Sequence, residues 1–127
     1  MESPGVLVVG ETPSLGRSIA DLLESSGIRT RYVQDLGDEQ PLSDLGCRYS
    51  VVVAACTGHY CATGRHWARG EVPDVTLVVV GSLDPTLPTI RNVQLVTLPL
   101  LPARFLVMIR DLLPAPAGPS PSRPIPP

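Results

Sequence analysis

Apolar residues fall along this chain in two rhythms. Val6-Leu7-Val8-Val9 is an unbroken apolar run between Gly5 and Gly10, the pattern of a strand buried on both faces. Thr12-Pro13 then supplies a helix N-cap and a proline at the first helical position. Leu15, Ile19, Leu22 and Leu23 follow at helical spacing, and Gly27 closes that helix. From Arg29 to Val33 polar and apolar residues alternate, which predicts a second, more exposed strand. Leu42 to Leu45 suits a short helix, Val51 to Cys56 a third strand, and Gly58 to Arg69 a loop running into a helix that carries Trp67. Val75–Val80 and Val93–Leu98 are the fourth and fifth strands. Pro102 opens a last helix whose apolar set is Phe105, Leu106, Ile109, Leu112 and Leu113, and Pro114 stops it.

Strands alternating with helices predict a five-stranded parallel sheet covered on both faces, a three-layer α/β sandwich. One crossover is irregular. Between the fourth and fifth strands Pro85 and Pro88 leave little room for a regular helix, so that helix is expected to be short or missing. In such sheets the working edge lies at the carboxyl ends of the strands. Here it would be formed by Gly10, Glu11 and Thr12, by Cys56 to His59, by Gly81 and Ser82, and by Leu98 and Pro99. Residues 1–113 make one domain. In residues 114–127 seven of fourteen are proline, a composition shared by disordered tails and by extended linkers to a further domain.

Composition narrows the chemistry. The 127 residues are 43% hydrophobic and 17% charged, with a net charge of −2, so a globular domain without a nucleic-acid surface is expected. All ten basic residues are arginine, which excludes Schiff-base chemistry, a P-loop lysine and any lysine clamp on a phosphate. Three cysteines, Cys47, Cys56 and Cys61, do not make a disulfide framework. The apolar runs of five or six residues are far below the roughly 20 of a membrane helix, and no signal peptide precedes the first strand; a cytoplasmic, non-membrane protein is the expectation.

The stretches "VLVVGETPSLGRSIADLLESSG" and "LVTLPLLPARFLVMIRDLL" resemble the two ends of the receiver domain of bacterial two-component response regulators. The former is similar to that family's first strand, acidic turn and first helix; the latter is similar to its last strand, Lys-Pro turn and final helix. The middle is matched by strand order. The resemblance implies a flavodoxin-like fold over residues 1–113. It places the family's acidic pair on Gly10 and Glu11, its phospho-accepting aspartate on Ala55, its switch hydroxyl on Gly81 (with Ser82 one position late) and its clamping lysine on Leu98, with the following proline kept as Pro99. Aspartyl phosphorylation needs a carboxylate nucleophile, Mg²⁺ held by oxygens and a cation against the developing charge. Only Glu11 remains. The implied protein is an atypical, pseudo-receiver module with no catalytic residue and no cofactor, acting through protein contacts or dimerisation. Its tail would join it to an effector, such as a DNA-binding or enzymatic domain, as in transcription regulation.

Two other readings start from the same residues. Gly10 and Gly16, with Ser14 between them and Asp35 near the second strand's end, resemble a Rossmann-like nucleotide-binding turn. Pro13 and the charge of Glu11 sit awkwardly there, and no Tyr-x-x-x-Lys dyad exists. Cys56, His59, Cys61 and His66 are soft ligands within eleven residues and could hold zinc or copper in a metal sensor. Their spacing matches no familiar knuckle, and Cys56 reads equally as a small core residue. Tyr60 is a candidate partner anchor, while Trp67 is expected to pack on the sheet. Arg65, His66 and Arg69 are read as a solvated helix face, as is the acidic stretch 39–44. The last helix carries Phe105 to Ile109 as five consecutive apolar residues, more than one sheet-facing stripe requires. Leu100, Leu101, Phe105, Met108, Ile109 and Leu112 are therefore the expected interface of a homodimer.

Overall fold

The computed structural model describes residues 5–39, 42–57, 62–72, 75–81 and 92–113. Five parallel strands form one sheet: β1 (Val6–Val9), β2 (Thr30–Val33), β3 (Val51–Cys56), β4 (Thr76–Gly81) and β5 (Val93–Val96), in the order β2-β1-β3-β4-β5. Helices α1 (Pro13–Ser25), α2 (Leu45–Arg48), α3 (Ala62–Ala68) and α4 (Pro102–Leu112) connect and cover them. This is the flavodoxin-like three-layer arrangement. The link between β4 and β5, expected to lack a regular helix, lies outside the described residues, as do Ser82, His59, Cys61, Tyr60 and the segment 114–127.

Strand pleating divides the core in two. Leu7 and Val9 of β1, Val52, Ala54 and Cys56 of β3, and Leu77 and Val79 of β4 face one layer, with Leu45, Tyr49 and Trp67 packed against them. Val6, Val8, Val51, Val53, Ala55, Val78 and Val80 face the other, under Ile19 and Leu23 of α1 and Phe105 and Ile109 of α4. Alternating side chains with no polar face explain why β1, β3 and β4 read as continuous apolar runs. The Trp67 indole N–H donates to the Val75 carbonyl at 2.9 Å, so this tryptophan packs on the sheet as expected.

Local chemistry fixes the helix ends. Gly27, in the left-handed region at φ +85°, donates its N–H to Glu24, and Ile28 donates to Leu23 at 3.0 Å. That is a Schellman closure, which favours glycine. Pro13 and Pro102 start α1 and α4. Thr12 sits at the N-cap of α1, but its hydroxyl does not cap the helix; the threonine is used elsewhere.

Two expectations are corrected. The stretch 39–44 is not simply a solvated acidic surface, because Glu39 is only 3% exposed. Its carboxylate meets Arg31 Nε at 2.6 Å and Arg48 Nη1 at 3.2 Å, and accepts the Tyr49 hydroxyl at 3.1 Å. Burial, and then the neighbouring Glu39 charge, push the Tyr49 phenol above its ordinary pKa. The second correction concerns the last helix. Phe105 and Ile109, expected at an outer interface, are buried in the sheet-facing core instead, Phe105 at the floor of the flank beside β5. Leu106, Met108 and Leu112 are half-buried, and Val107 points outward.

Candidate functional site

The carboxyl-end edge is assembled from the β1–α1 turn, the end of β3, the end of β4 and the β5–α4 turn. At each position its chemistry differs from that of a phosphoryl-transfer site.

Gly10 closes β1, donating its N–H to Val33 at 2.8 Å. Its α-carbon faces the Tyr32 ring: a Cβ there would come within 2.5 Å of the phenol oxygen. A Cβ on Gly16, in the first turn of α1, would reach Gly10 Cα at 2.6 Å. Both glycines thus permit close packing of α1, β1 and Tyr32. Arg17 lies over the same ring at 5.0 Å. The dinucleotide-like spacing has an internal reason, and Asp35, exposed, accepts the Gly37 N–H at 2.9 Å within its own turn.

Glu11, the carboxylate that remains of the acidic pair, is spoken for. Its oxygens accept the backbone N–H of Ala62 at 3.1 Å and of Thr63 at 2.7 Å, together with the Thr63 hydroxyl. These are the unpaired amides at the start of α3, where a negative charge is favoured. A side chain 51 residues earlier in sequence therefore ties the β1–α1 turn to α3.

Next to it, Thr12 donates its N–H to the Ala55 carbonyl at 2.8 Å. The Thr12 hydroxyl accepts the Thr57 N–H at 3.1 Å and pairs with the Thr57 hydroxyl at 3.0 Å. The ends of β1 and β3 are laced together by neutral hydrogen bonds. Ala55 itself has no exposure and belongs to the core layer with Val53, Val78 and Val80.

Gly81 is the most constrained position. It takes φ +125°, and a Cβ added there would fall on the Cys56 carbonyl oxygen, far inside van der Waals contact. No hydroxyl-bearing side chain fits while β3 and β4 keep this register. The fourth position, Leu98, carries an apolar side chain 44% exposed. It precedes Pro99 through a cis peptide bond, in the turn after β5, which ends at Val96 rather than continuing to Leu98.

Of the soft-ligand set only Cys56 and His66 lie among the described residues, while His59 and Cys61 lie outside them. Cys56 is buried in the layer with Trp67. His66 Nδ1 lies 2.6 Å from Glu71, holding that carboxyl below its usual pKa.

Glu11, Thr12 and Thr57 at this edge are thus engaged in hydrogen bonds within the chain, while apolar surface lies beside it. Leu95, Leu98, Leu101, Arg104, Phe105 and Met108 line a groove of about 320 Å³ between β5 and α4. Leu95, Leu101 and Val107 are 48%, 53% and 58% exposed. The sequence points to Leu98–Leu101 and α4 but not to Tyr32, Thr57 or Val107. Tyr32 is legible there only as one step of an alternating strand, and Thr57 carries no motif.

No protein-family model matches the chain, and no curated protein matches it. One solved structure is similar: the NMR structure of the pseudo-receiver domain of the CikA protein, at 17% identity and a TM-score of 0.61, covering 87% of this chain and 97% of that one. The chain has the fold of a pseudo-receiver domain.

Proposed function

We propose that this chain is a receiver-fold regulatory module that works without aspartyl phosphorylation and without catalysis, by protein contact at the β5–α4 flank. The observation that carries the reading is the closed carboxyl-end edge. Ala55 offers no nucleophile, Glu11 is committed to the α3 amides, and Gly81 has no room for a switch side chain. A phosphoryl site needs oxygens free to bind Mg²⁺ and a cation to meet charge in the transition state; the receiver resemblance puts Leu98 at that cation's position. The similar structure, itself a pseudo-receiver domain, supports the same reading. In this view residues 114–127 link the module to an effector that reads out its contacts.

Incubation with acetyl phosphate or phosphoramidate and Mg²⁺, followed by intact-mass measurement, tests the proposal. The mass is expected to stay unchanged. A stoichiometric, Mg²⁺-dependent phosphoryl gain would overturn it.

A further inference from the structure

The groove beside β5 is apolar along its length and cationic at one point. Leu101, Arg104, Phe105 and Met108 stand at helical positions i, i+3, i+4 and i+7, so they form one wall. Leu95 and Leu98 belong to the other. Seven of the nine lining residues are apolar, one is Thr97 and none is acidic, which leaves Arg104 as the charged group. Arg104 is exposed, and among the described residues it enters no ion pair. Asp111 lies two turns farther along the helix, out of its reach. Arg110, by contrast, is used internally, donating to the Ser26 carbonyl at 3.0 Å.

This arrangement selects among small molecules by chemistry. Leu95, Leu98 and Leu101, each about half exposed, offer no hydrogen bond to a sugar or a phosphate chain. A wholly apolar guest would cover the guanidinium without giving it a counter-charge, and a cation would be repelled. One molecule with an alkyl body and a carboxylate head satisfies both parts. The planar guanidinium matches a carboxylate with two parallel N–H···O bonds. The helical wall from Leu101 to Met108 advances about 10.5 Å, close to the extended length of octanoate. A volume of about 320 Å³ stands at the small end of ligand sites.

We infer that the β5–α4 groove is a binding site for a medium-chain amphipathic carboxylate, its alkyl chain against Leu95, Leu98 and Phe105 and its head on Arg104. The consequence rests on the protein-contact reading above. A filled groove removes apolar area that a protein partner would otherwise bury, so ligand and partner compete for the flank.

Titration of the isotope-labelled chain with octanoate, followed by amide chemical shifts, tests this. Saturable shifts at β5, the turn after it and α4 are expected, with a dissociation constant on the order of 0.1 to 1 mM. Hexanoate should bind about tenfold more weakly, since each buried methylene is worth roughly fourfold. Arg104→Gln should weaken octanoate about tenfold and leave octanol within about twofold, because only the former carries the charge. Leu95→Gln should weaken both. Both residues are exposed, and an unchanged circular dichroism spectrum checks that the fold survives. Octanoate that gives no saturable shift by about 5 mM, or shifts centred away from the groove, overturns the inference. Equal effects of Arg104→Gln on acid and alcohol overturn it too, as does a Leu95→Gln chain that binds like the wild type. Phosphoryl mass gain is a separate readout, so failure of octanoate binding is distinguishable from failure of the phosphorylation-independent reading.

Discussion

The β1–β3–β4 edge and the β5–α4 flank are neighbours on one sheet with opposite surface chemistry. At the edge, polar groups of the described residues are paired within the chain: Glu11 with Ala62 and Thr63, Thr12 with Ala55 and Thr57. At the flank, large apolar side chains stay in solvent, among them Leu95, Leu98, Leu101 and Val107. A site that meets ligands keeps polar groups unpaired in the free state, whereas a surface that meets protein keeps apolar area uncovered. The difference teaches that neighbouring parts of one sheet can be suited to different work. Polar groups at the edge are used in internal packing, while the flank beside it leaves apolar area uncovered.

The sharpest test of the edge is Gly81→Ser, which adds a hydroxyl where the receiver resemblance would put a switch residue. The added Cβ collides with the Cys56 carbonyl and the φ is unfavourable for serine, so a loss of about 3 kcal/mol or more is expected in urea unfolding. A stable Gly81→Ser protein would show that the edge can reopen. On α4 the inner and outer faces should separate cleanly. Phe105→Ala removes a core aromatic and should cost roughly 3 to 4 kcal/mol. Val107→Ala, measured dilute enough to be monomeric, should stay within about 0.5 kcal/mol. Equal effects would dissolve the distinction between core and contact surface. Glu11→Gln is expected to give a loss of about 1 kcal/mol, because the amide oxygen still accepts one N–H of α3 without the charge. A variant more stable than wild type would mean that Glu11 is held against its preference.

Most of the scaffold is legible in the sequence because its signals are local and redundant. β1, β3 and β4 are apolar runs ended by glycine or a polar turn, and α1 carries Pro13 at its start and Gly27 at its end. The site is legible mainly as missing residues: Gly10, Ala55, Gly81 and Leu98 lack polar side chains in any conformation. What replaced them is not legible, because each replacement is a long-range pairing. Nothing in the sequence couples Glu11 to Thr63, or Tyr32 to Gly10. Glu39 escapes a sequence reading for the same reason. An acidic residue in a polar stretch looks solvated until folding brings Arg31, Arg48 and Tyr49 around it. The face of α4 is half legible. Five apolar residues in a row say that some must be exposed, but only packing decides that Phe105 and Ile109 turn inward and Val107 outward.

Gly81 also bears on mutational history. A path to a phosphorylatable edge by single substitutions must begin somewhere. A side chain at Gly81 cannot come first, since the Cys56 carbonyl already occupies its space. A carboxylate at Ala55 would be born in an apolar layer with no solvent. Each step becomes tolerable only after another has been taken. The glycine that lets β3 and β4 lie this close therefore acts as a ratchet: the fold itself blocks single steps toward a phosphorylatable edge, whatever selection favours.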